Sequence, residues 1–281
     1  MSQKNVNPSI PVMKNIVKRN NVRVIGAGKR AMVFVHGYGC DQNMWRRVTP
    51  AFQEKYQIVL LDLVGAGNSD LKAFEPVRYS TLHGYAEDII EVCDALSLTE
   101  VIFVGHSVSA MICGLAQIKR PDLFAGLVMV GPSPCYVNKE DYVGGFNQED
   151  LEELIEMIDS NYLGWSKSMA PAIMGNPEEP ALGEELTESF CQTDPAIAGH
   201  FAKTTFFSDN RKDLPRITSP TLVLQCSQDI IAPDSVGKYV SEKIEGSKFV
   251  QLEATGHCPH MSSPKELIAE VKDWMQQESL S

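Results

Sequence analysis

The sequence predicts an α/β fold in which helices cover a parallel β-sheet. Four largely apolar runs end in glycine or a small polar residue, which is typical of buried parallel strands, and they occupy residues 31–37, 56–67, 101–107 and 127–133. Residues 80–98 place apolar side chains on one helical face, namely Leu82, Tyr85, Ile89, Val92 and Leu96. A second helix follows Ser107 and stops before Pro121. This alternation of strands and helices predicts a parallel sheet between helical layers.

The two ends of the chain add further elements to this prediction. Strand character returns at residues 220–229 and 247–257, and a helix closes the chain. Residues 16–28 predict an antiparallel opening hairpin. A chain of 281 residues can form one large α/β domain or two smaller ones.

Strand patterns disappear between Pro132 and about Asp209. Residues 147–165 predict an amphipathic helix with Asn147 as its N-cap, and several short helices follow. Residues 140–190 contain thirteen acidic residues and one basic residue, so they carry the whole negative excess of a chain with net charge −11. We therefore treat this acidic stretch as a separate structural unit. Its charge indicates either solvated helix faces or a surface for a partner.

Composition excludes several classes of protein. The net charge of −11 argues against nucleic acid or an anionic membrane as the main partner. No run of about 18 apolar residues is present, and the polar N-terminus lacks the apolar segment of a signal peptide. Seven cysteines without a Cys-x-x-Cys pair predict reduced thiols in a cytoplasmic protein. No metal-binding or phosphate-loop motif is found, so we expect no metal and no cofactor.

The stretch VIFVGHSVSAMICG, residues 101–114, places a polar Ser107 between a buried strand and a buried helix. A serine at such a sharp turn has its hydroxyl exposed at the carboxyl edge of the sheet, where it can act as a nucleophile. The tight turn needs small residues two positions before and after the serine, and Gly105 and Ser109 meet that requirement. A serine flanked by small residues in this way is common by itself, and the alternative interpretation is that Ser107 has only a structural role in the turn.

A catalytic serine needs a base, and the base needs an orienting acid. Asp229 follows the predicted strand 220–229, and His257 follows the predicted strand 247–257. The chain order serine, acid, histidine, with each residue just beyond a strand, is the order expected for this architecture. Asp234 and His260 are the nearest competitors, and the alternative roles are a loop cap for Asp229 and a satisfied loop histidine for His257.

Acyl transfer also needs donors for the developing oxyanion. The backbone N–H of Val108, at the start of a helix, is one candidate, and Tyr38 in the loop 35–41 supplies the other. His36 is predicted to orient that loop, and His106 is predicted to pack beside the nucleophile.

Several segments together resemble the RsbQ-type branch of the α/β-hydrolase superfamily and the plant karrikin and strigolactone receptors. These segments are HGYGCDQNMW, GHSVSAMI, GPSPCYVN, FFSDNR, LQCSQDIIAP and GHCPHMSSP. The resemblance implies one domain over residues 1–281, with an eight-stranded, mostly parallel sheet and a helical lid at 133–209. It assigns the triad to Ser107, Asp229 and His257, and the oxyanion amides to Tyr38 and Val108. Ser109 is more similar to the receptor branch than to the bacterial regulator.

The resemblance implies a stress-signalling regulator. Aromatic and methionine side chains in the lid segment predict an apolar pocket over Ser107, which suits a small neutral ester or lactone. Ser133, Tyr136 and Phe206 are candidates to line this pocket, and a PAS-domain serine phosphatase is the partner implied by the bacterial branch. A metabolic carboxylesterase without a signalling partner is the alternative, and a hydrolyase or cofactor-free peroxidase is a third.

Overall fold

A computed structural model describes residues 10–280, with side chains from residue 13 onward. Residues 1–9, at the start of the polar N-terminal segment, and residue 281 lie outside this description. The strands are β1 (Arg23–Ile25), β2 (Arg30–Val35), β3 (Tyr56–Leu61), β4 (Val101–His106), β5 (Phe124–Val130), β6 (Thr221–Gln228) and β7 (Lys248–Thr255). They form one sheet in the order β1-β3-β2-β4-β5-β6-β7. Every neighbouring pair is parallel except β1 with β3, so the predicted parallel sheet is confirmed.

The described sheet has seven strands, one fewer than the resemblance implied. The predicted hairpin at residues 16–28 is wrong, because its first half belongs to helix α1 (Ile10–Arg19). Asn21 takes a left-handed backbone with φ 43°, and β1 then pairs with β3 rather than with the preceding segment. An asparagine in this conformation can close a hairpin or end a helix, so the local sequence does not distinguish them.

Nine α-helices surround the sheet within residues 10–280. After α1 they are α2 (Leu82–Ala95), α3 (Val108–Lys119), α4 (Gln148–Met174), α5 (Pro180–Cys191), α6 (Pro195–Phe206), α7 (Asp234–Lys243), α8 (Pro259–Ser262) and α9 (Pro264–Gln277). Alternate strand residues face two separate cores. Val33 and Val35 pack with α2 and α3, whereas Met32 and Phe34 pack with α9. Both strand faces are therefore buried, which explains the nearly continuous apolar runs.

The acidic stretch forms an insertion between β5 and β6, which we define as residues 148–206 and which contains α4, α5 and α6. Asn147 caps α4 together with the Asp150 carboxylate, as the capping prediction required. The chain leaves helical geometry at Asn161, with φ −155° and ψ 71°, so α4 is two helices joined at a kink. The buried face of the insertion belongs to the same apolar core as one face of the sheet.

Among residues 10–280, no helix combines the length and the apolar character needed to cross a lipid bilayer.

Candidate active site

Ser107 occupies a strained turn between β4 and α3. Its backbone has φ 56° and ψ −126°, a region that residues with a side chain rarely adopt, and its N–H donates to the Val130 carbonyl at 2.8 Å. A Cβ at Gly105 would lie 2.4 Å from the Ser109 carbonyl oxygen. The small residue two positions before the serine is therefore required by the close approach of β4 and α3. This is the strand–turn–helix geometry expected around a nucleophilic serine.

The structure brings Ser107, His257 and Asp229 together at the carboxyl edge of the sheet. His257 Nε2 lies 2.8 Å from Ser107 Oγ, and His257 Nδ1 lies 2.7 Å from Asp229 Oδ2. The tautomer that satisfies both bonds has Nδ1–H donating to the carboxylate and Nε2 accepting from the hydroxyl. The imidazole is thus oriented to accept the Ser107 proton. These are the contacts that a Ser-His-Asp triad requires.

The competing residues lie elsewhere. Asp234 begins α7 and pairs with Lys238 Nζ at 2.6 Å on the protein surface. His260 lies in α8, where its ring packs against Trp45 with a centroid distance of 4.7 Å. Neither residue makes the contacts that a triad member needs.

The Asp229 carboxylate is fully buried and held by neighbouring donors. Its Oδ1 accepts from the N–H groups of Ile231 and Ala232 at 2.8 and 3.1 Å. Its Oδ2 accepts from Gln225 Nε2 at 3.3 Å in addition to His257. Sequence analysis missed Gln225, although a glutamine inside an otherwise apolar buried strand was a detectable signal. These donors fix the orientation of the carboxylate and therefore that of the imidazole.

Two backbone N–H groups are free to bind an oxyanion. None of the hydrogen bonds found among residues 10–280 uses the N–H of Tyr38 or Val108. The Val108 amide also lies at the N-terminus of α3, where the helix dipole favours negative charge. Both amides therefore remain candidates for the oxyanion hole.

His36 holds the loop that contains Tyr38. Its Nε2 accepts from the Leu63 N–H at 3.0 Å, so its Nδ1–H donates to the Gly37 carbonyl at 2.8 Å. The Ser109 hydroxyl donates to the His36 carbonyl at 2.5 Å. The small residue after the nucleophile thus contributes a hydrogen bond that glycine could not supply. His36 has the orienting geometry that the sequence predicted.

A cluster of His106, Cys258 and His260 lies directly beside the triad. Their potential ligand atoms are within 4.8 Å of one another, so among the described residues this is the group that could hold a metal ion. Linear spacing could not show the cluster, because residue 106 meets residues 258–260 only in the fold. The histidine rings pack at a centroid distance of 4.4 Å, and His106 Nε2–H donates to the His257 carbonyl at 2.8 Å. The cluster therefore supports the His257 backbone.

Burial sets the charge of this cluster. It lowers the pKa of His106 well below its usual range and lowers the pKa of His260 to about 3, while it raises the pKa of the Cys258 thiol. Both histidines are neutral at pH 7, and the thiol is protonated. Cys258 consequently has none of the thiolate character of a nucleophile. Neither neighbouring imidazole would therefore repel the positive charge that His257 gains when it accepts a proton.

A cavity of about 70 Å³ lies above Ser107 and beneath the insertion. Tyr136 and Phe206 line it, as predicted, and other lining residues come from the insertion, among them Trp165, Met169 and Phe190. Ser133 is not among the lining residues, and this assignment is wrong because its buried hydroxyl donates to the Cys135 carbonyl at 3.0 Å. Among the described residues, no carboxylate or permanent cation lines the cavity. The chamber suits a small, neutral, mostly apolar ligand.

His260→Leu is expected to reduce the pH dependence of the unfolding free energy. The pKa of His260 is about 3 in the folded protein and about 6.5 when unfolded, so wild-type stability falls as pH drops from 6.5 toward 3. Neither ring nitrogen of His260 has a hydrogen-bond partner among the described residues, so the substitution removes no hydrogen bond found there. The slope between pH 4 and 6 should decrease by about 1.4 kcal/mol per pH unit, measured by urea unfolding. His83→Gln, on the exposed face of α2, is the control, and equal slopes for wild type and His260→Leu would contradict the prediction.

Comparison with known proteins agrees with this geometry. Residues 32–271 match the Alpha/beta hydrolase family. A probable esterase from Oryza sativa subsp. japonica is 40% identical, and the match covers 90% of this chain and 94% of that protein. A strigolactone esterase from Arabidopsis thaliana is 38% identical, with 90% and 95% of the two chains covered. The karrikin insensitive 2 receptor CA of Petunia hybrida is also 38% identical, and the match covers 90% of this chain and 94% of that protein. The resemblance to plant karrikin and strigolactone receptors is therefore confirmed.

Among solved structures, a hydrolase from Oleispira antarctica superposes with a TM-score of 0.91 at 43% identity. The superposition covers 94% of this chain and 97% of that one. A bromoperoxidase from Bacillus anthracis, with a TM-score of 0.84 at 19% identity over 91% of this chain and 94% of that one, shares the fold. On the sheet order, the serine turn and these matches together, the chain belongs to the alpha/beta hydrolase family.

Proposed function

We propose that this protein is a serine hydrolase that cleaves a small, neutral ester or lactone. The observation that carries the proposal is the continuous hydrogen-bonded chain from Ser107 Oγ through His257 to Asp229, with distances of 2.8 and 2.7 Å. Relatives named as esterases support hydrolysis as the reaction. Residues 133–209 act as the lid of one domain spanning residues 1–281, and the lid helices supply much of the apolar cavity wall.

The reaction follows from the positions of these groups. Ser107 Oγ attacks the carbonyl carbon as its proton passes to His257 Nε2, and Asp229 stabilises the resulting imidazolium. The oxygen that gains negative charge accepts hydrogen bonds from the amides of Tyr38 and Val108. The intermediate collapses as His257 donates that proton to the leaving alkoxide. Water then attacks the acyl-enzyme with His257 as base, which releases the acid and restores Ser107. In a lactone the alcohol stays attached, so the product is a hydroxy acid.

The cavity limits the substrate in size and charge. A volume of about 70 Å³ restricts the size of the group that fits beneath the insertion. Trp165 Nε1 and Thr205 Oγ1 belong to lining residues and have no hydrogen-bond partner within the described chain. A substrate with one additional oxygen, as in an ester or a lactone, could satisfy one of them.

A second candidate function is signalling, in which the same site binds or slowly hydrolyses an effector and the insertion docks a partner. The observation that favours it is the acidic outer face of α4, where Glu152, Glu153 and Glu156 are exposed. Relatives named as karrikin receptors support a regulatory role. In this proposal the protein is an RsbQ-like cytoplasmic stress regulator, and a PAS-domain serine phosphatase is its partner. A metabolic carboxylesterase with no signalling partner is the alternative output.

Ser107→Ala is expected to abolish ester hydrolysis, since no other group at the site can form the acyl-enzyme. The loss in kcat for p-nitrophenyl butyrate should approach a factor of about 10⁶ if the site behaves as a serine protease triad does. Ser160→Ala, an exposed serine on α4, is the control and should retain wild-type turnover. Hydrolysis by Ser107→Ala at the wild-type rate would overturn the proposed function.

Discrimination against anionic substrates follows from the uncharged cavity wall. The kcat/KM for p-nitrophenyl butyrate should exceed that for mono-p-nitrophenyl succinate, which has an acyl chain of the same length, by at least about 100-fold. An unpaired carboxylate buried in this cavity costs several kcal/mol, and each 1.4 kcal/mol is a factor of about ten. Equal kcat/KM values would contradict the proposed substrate class.

Charge reversal separates the two outputs of the site. The triple variant E152K/E153K/E156K should retain ester turnover but lose most binding to the PAS-domain serine phosphatase, measured by pull-down with purified components. E242K/E245K, which reverses two exposed acids beyond the insertion, is the control and should bind as wild type does. Unchanged capture by the triple variant would remove the docking role of this face.

A further inference from the structure

The side chain of Tyr38 connects the loop that carries a proposed oxyanion donor to the insertion. Its hydroxyl donates to the Ala198 carbonyl of α6 at 3.1 Å. Burial raises the pKa of Tyr38 well above its usual range, so the hydroxyl stays protonated and remains a donor. Tyr38 therefore combines a backbone N–H that has no acceptor among the described residues with a side chain that is anchored on the insertion.

Packing of the Tyr38 ring reinforces this anchor. Four aromatic rings lie within 5.7–6.2 Å of it, centroid to centroid, namely Trp165, Phe190, Phe201 and Phe206. They come from all three helices of the insertion, α4, α5 and α6. The loop is consequently held against the insertion by ring packing as well as by the hydroxyl.

The next residue, Gly39, makes a separate contact with α5. The Ser189 hydroxyl donates to the Gly39 carbonyl at 2.9 Å. Gly39 has φ +71°, and a Cβ there would lie 2.4 Å from the Phe190 ring. Only glycine therefore permits both this backbone conformation and the close approach of α5.

The other oxyanion donor is held differently. The Val108 amide belongs to α3, and the Val108 side chain is buried in the core formed by α2, α3 and the sheet. Its position is fixed by the body of the fold, whereas the loop of the Tyr38 amide is held by the body of the fold at His36 and by the insertion at Tyr38 and Gly39. Of the two donors, only the Tyr38 amide thus lies in a loop that the insertion also holds.

We infer that Tyr38 and Ser189 are positioning residues. They hold the second oxyanion donor, the Tyr38 backbone N–H, in its active position only while the insertion is docked. This inference rests on the proposed hydrolase function. An oxyanion donor acts over a narrow range of distance and direction, so a loop that loses its anchors loses transition-state stabilisation. The insertion therefore couples closure over the substrate to completion of the oxyanion hole.

Tyr38→Phe and Ser189→Ala test the inference, because each removes one hydroxyl and Phe retains the ring. Removing an oxyanion donor costs about 10²–10³ in kcat, and a loosened donor should cost less, about tenfold for each variant. We expect KM for p-nitrophenyl butyrate to change by less than about twofold. The pH profile of kcat/KM should be unchanged, since neither variant touches His257 or Asp229. Because both residues hold one loop, the double variant should lose less than the product of the two single losses.

A binding measurement separates this role from general loosening. Phenylboronic acid adds to Ser107 Oγ, the serine proton passes to His257, and the tetrahedral boronate anion that forms places one of its hydroxyl oxygens among the oxyanion donors. Its affinity, measured by calorimetry, should fall by the same factor as kcat in each variant. Thr187→Val is the matched control, because this α5 hydroxyl donates to the Gly183 carbonyl of its own helix at 2.7 Å. It should leave kcat and boronate affinity at wild-type values.

The outcomes distinguish this inference from the proposed function. Wild-type kcat and boronate affinity in both Tyr38→Phe and Ser189→Ala, in a chain whose turnover still requires Ser107, would overturn only the positioning role. Equal losses in Thr187→Val, or a raised KM with unchanged kcat, would also overturn it. Turnover that does not require Ser107 would overturn the proposed function and this inference with it.

Discussion

The close approach of β4 to α3 is the constraint on which the site depends. It holds Ser107 at φ 56°, a backbone conformation that costs of order 1–3 kcal/mol for a residue with a side chain. The surrounding structure sustains it, since the Ser107 N–H donates to β5 and both adjoining elements are buried. The same turn raises the hydroxyl above the sheet and, among the described residues, leaves the Val108 amide without an acceptor. Gly105 is required because a larger residue would meet the Ser109 backbone.

The charged and neutral groups around this turn favour transfer of a proton from Ser107 to His257. The Asp229 carboxylate is bonded to His257, and donors from the backbone and Gln225 hold it in place. His106 and His260 stay neutral because burial lowers the pKa of each. The imidazolium that forms on His257 therefore faces a fixed carboxylate, while the imidazoles beside it carry no charge. The neutral His106 ring packs against His260 and donates a hydrogen bond to the His257 carbonyl, so these two histidines support the His257 backbone without taking part in proton transfer.

The insertion has two physically distinct faces. Its inner face is apolar and aromatic and encloses the cavity. The same face forms hydrogen bonds with the loop of Tyr38 and Gly39. Its outer face carries the acidic residues of α4, which are solvated. A partner that bound the outer face could therefore influence turnover by shifting the helices that hold the oxyanion loop. Signalling and hydrolysis would then both depend on the contacts between the insertion and the loop of Tyr38 and Gly39.

The sequence by itself determined the parallel sheet, the strand–turn–helix at Ser107 and the chain order of Ser107, Asp229 and His257. These are local properties, since apolar runs, small residues at a tight turn and the residue after each strand are visible in the linear chain. Tertiary structure decided the rest. Residues 16–28 form a helix end and one strand because β1 pairs with β3, a partner about 35 residues away. Only the fold brings His106 to Cys258 and His260, leaves Ser133 out of the cavity wall and brings the Tyr38 hydroxyl to the Ala198 carbonyl. Contacts between distant segments depend on how whole elements pack, and no local pattern encodes them.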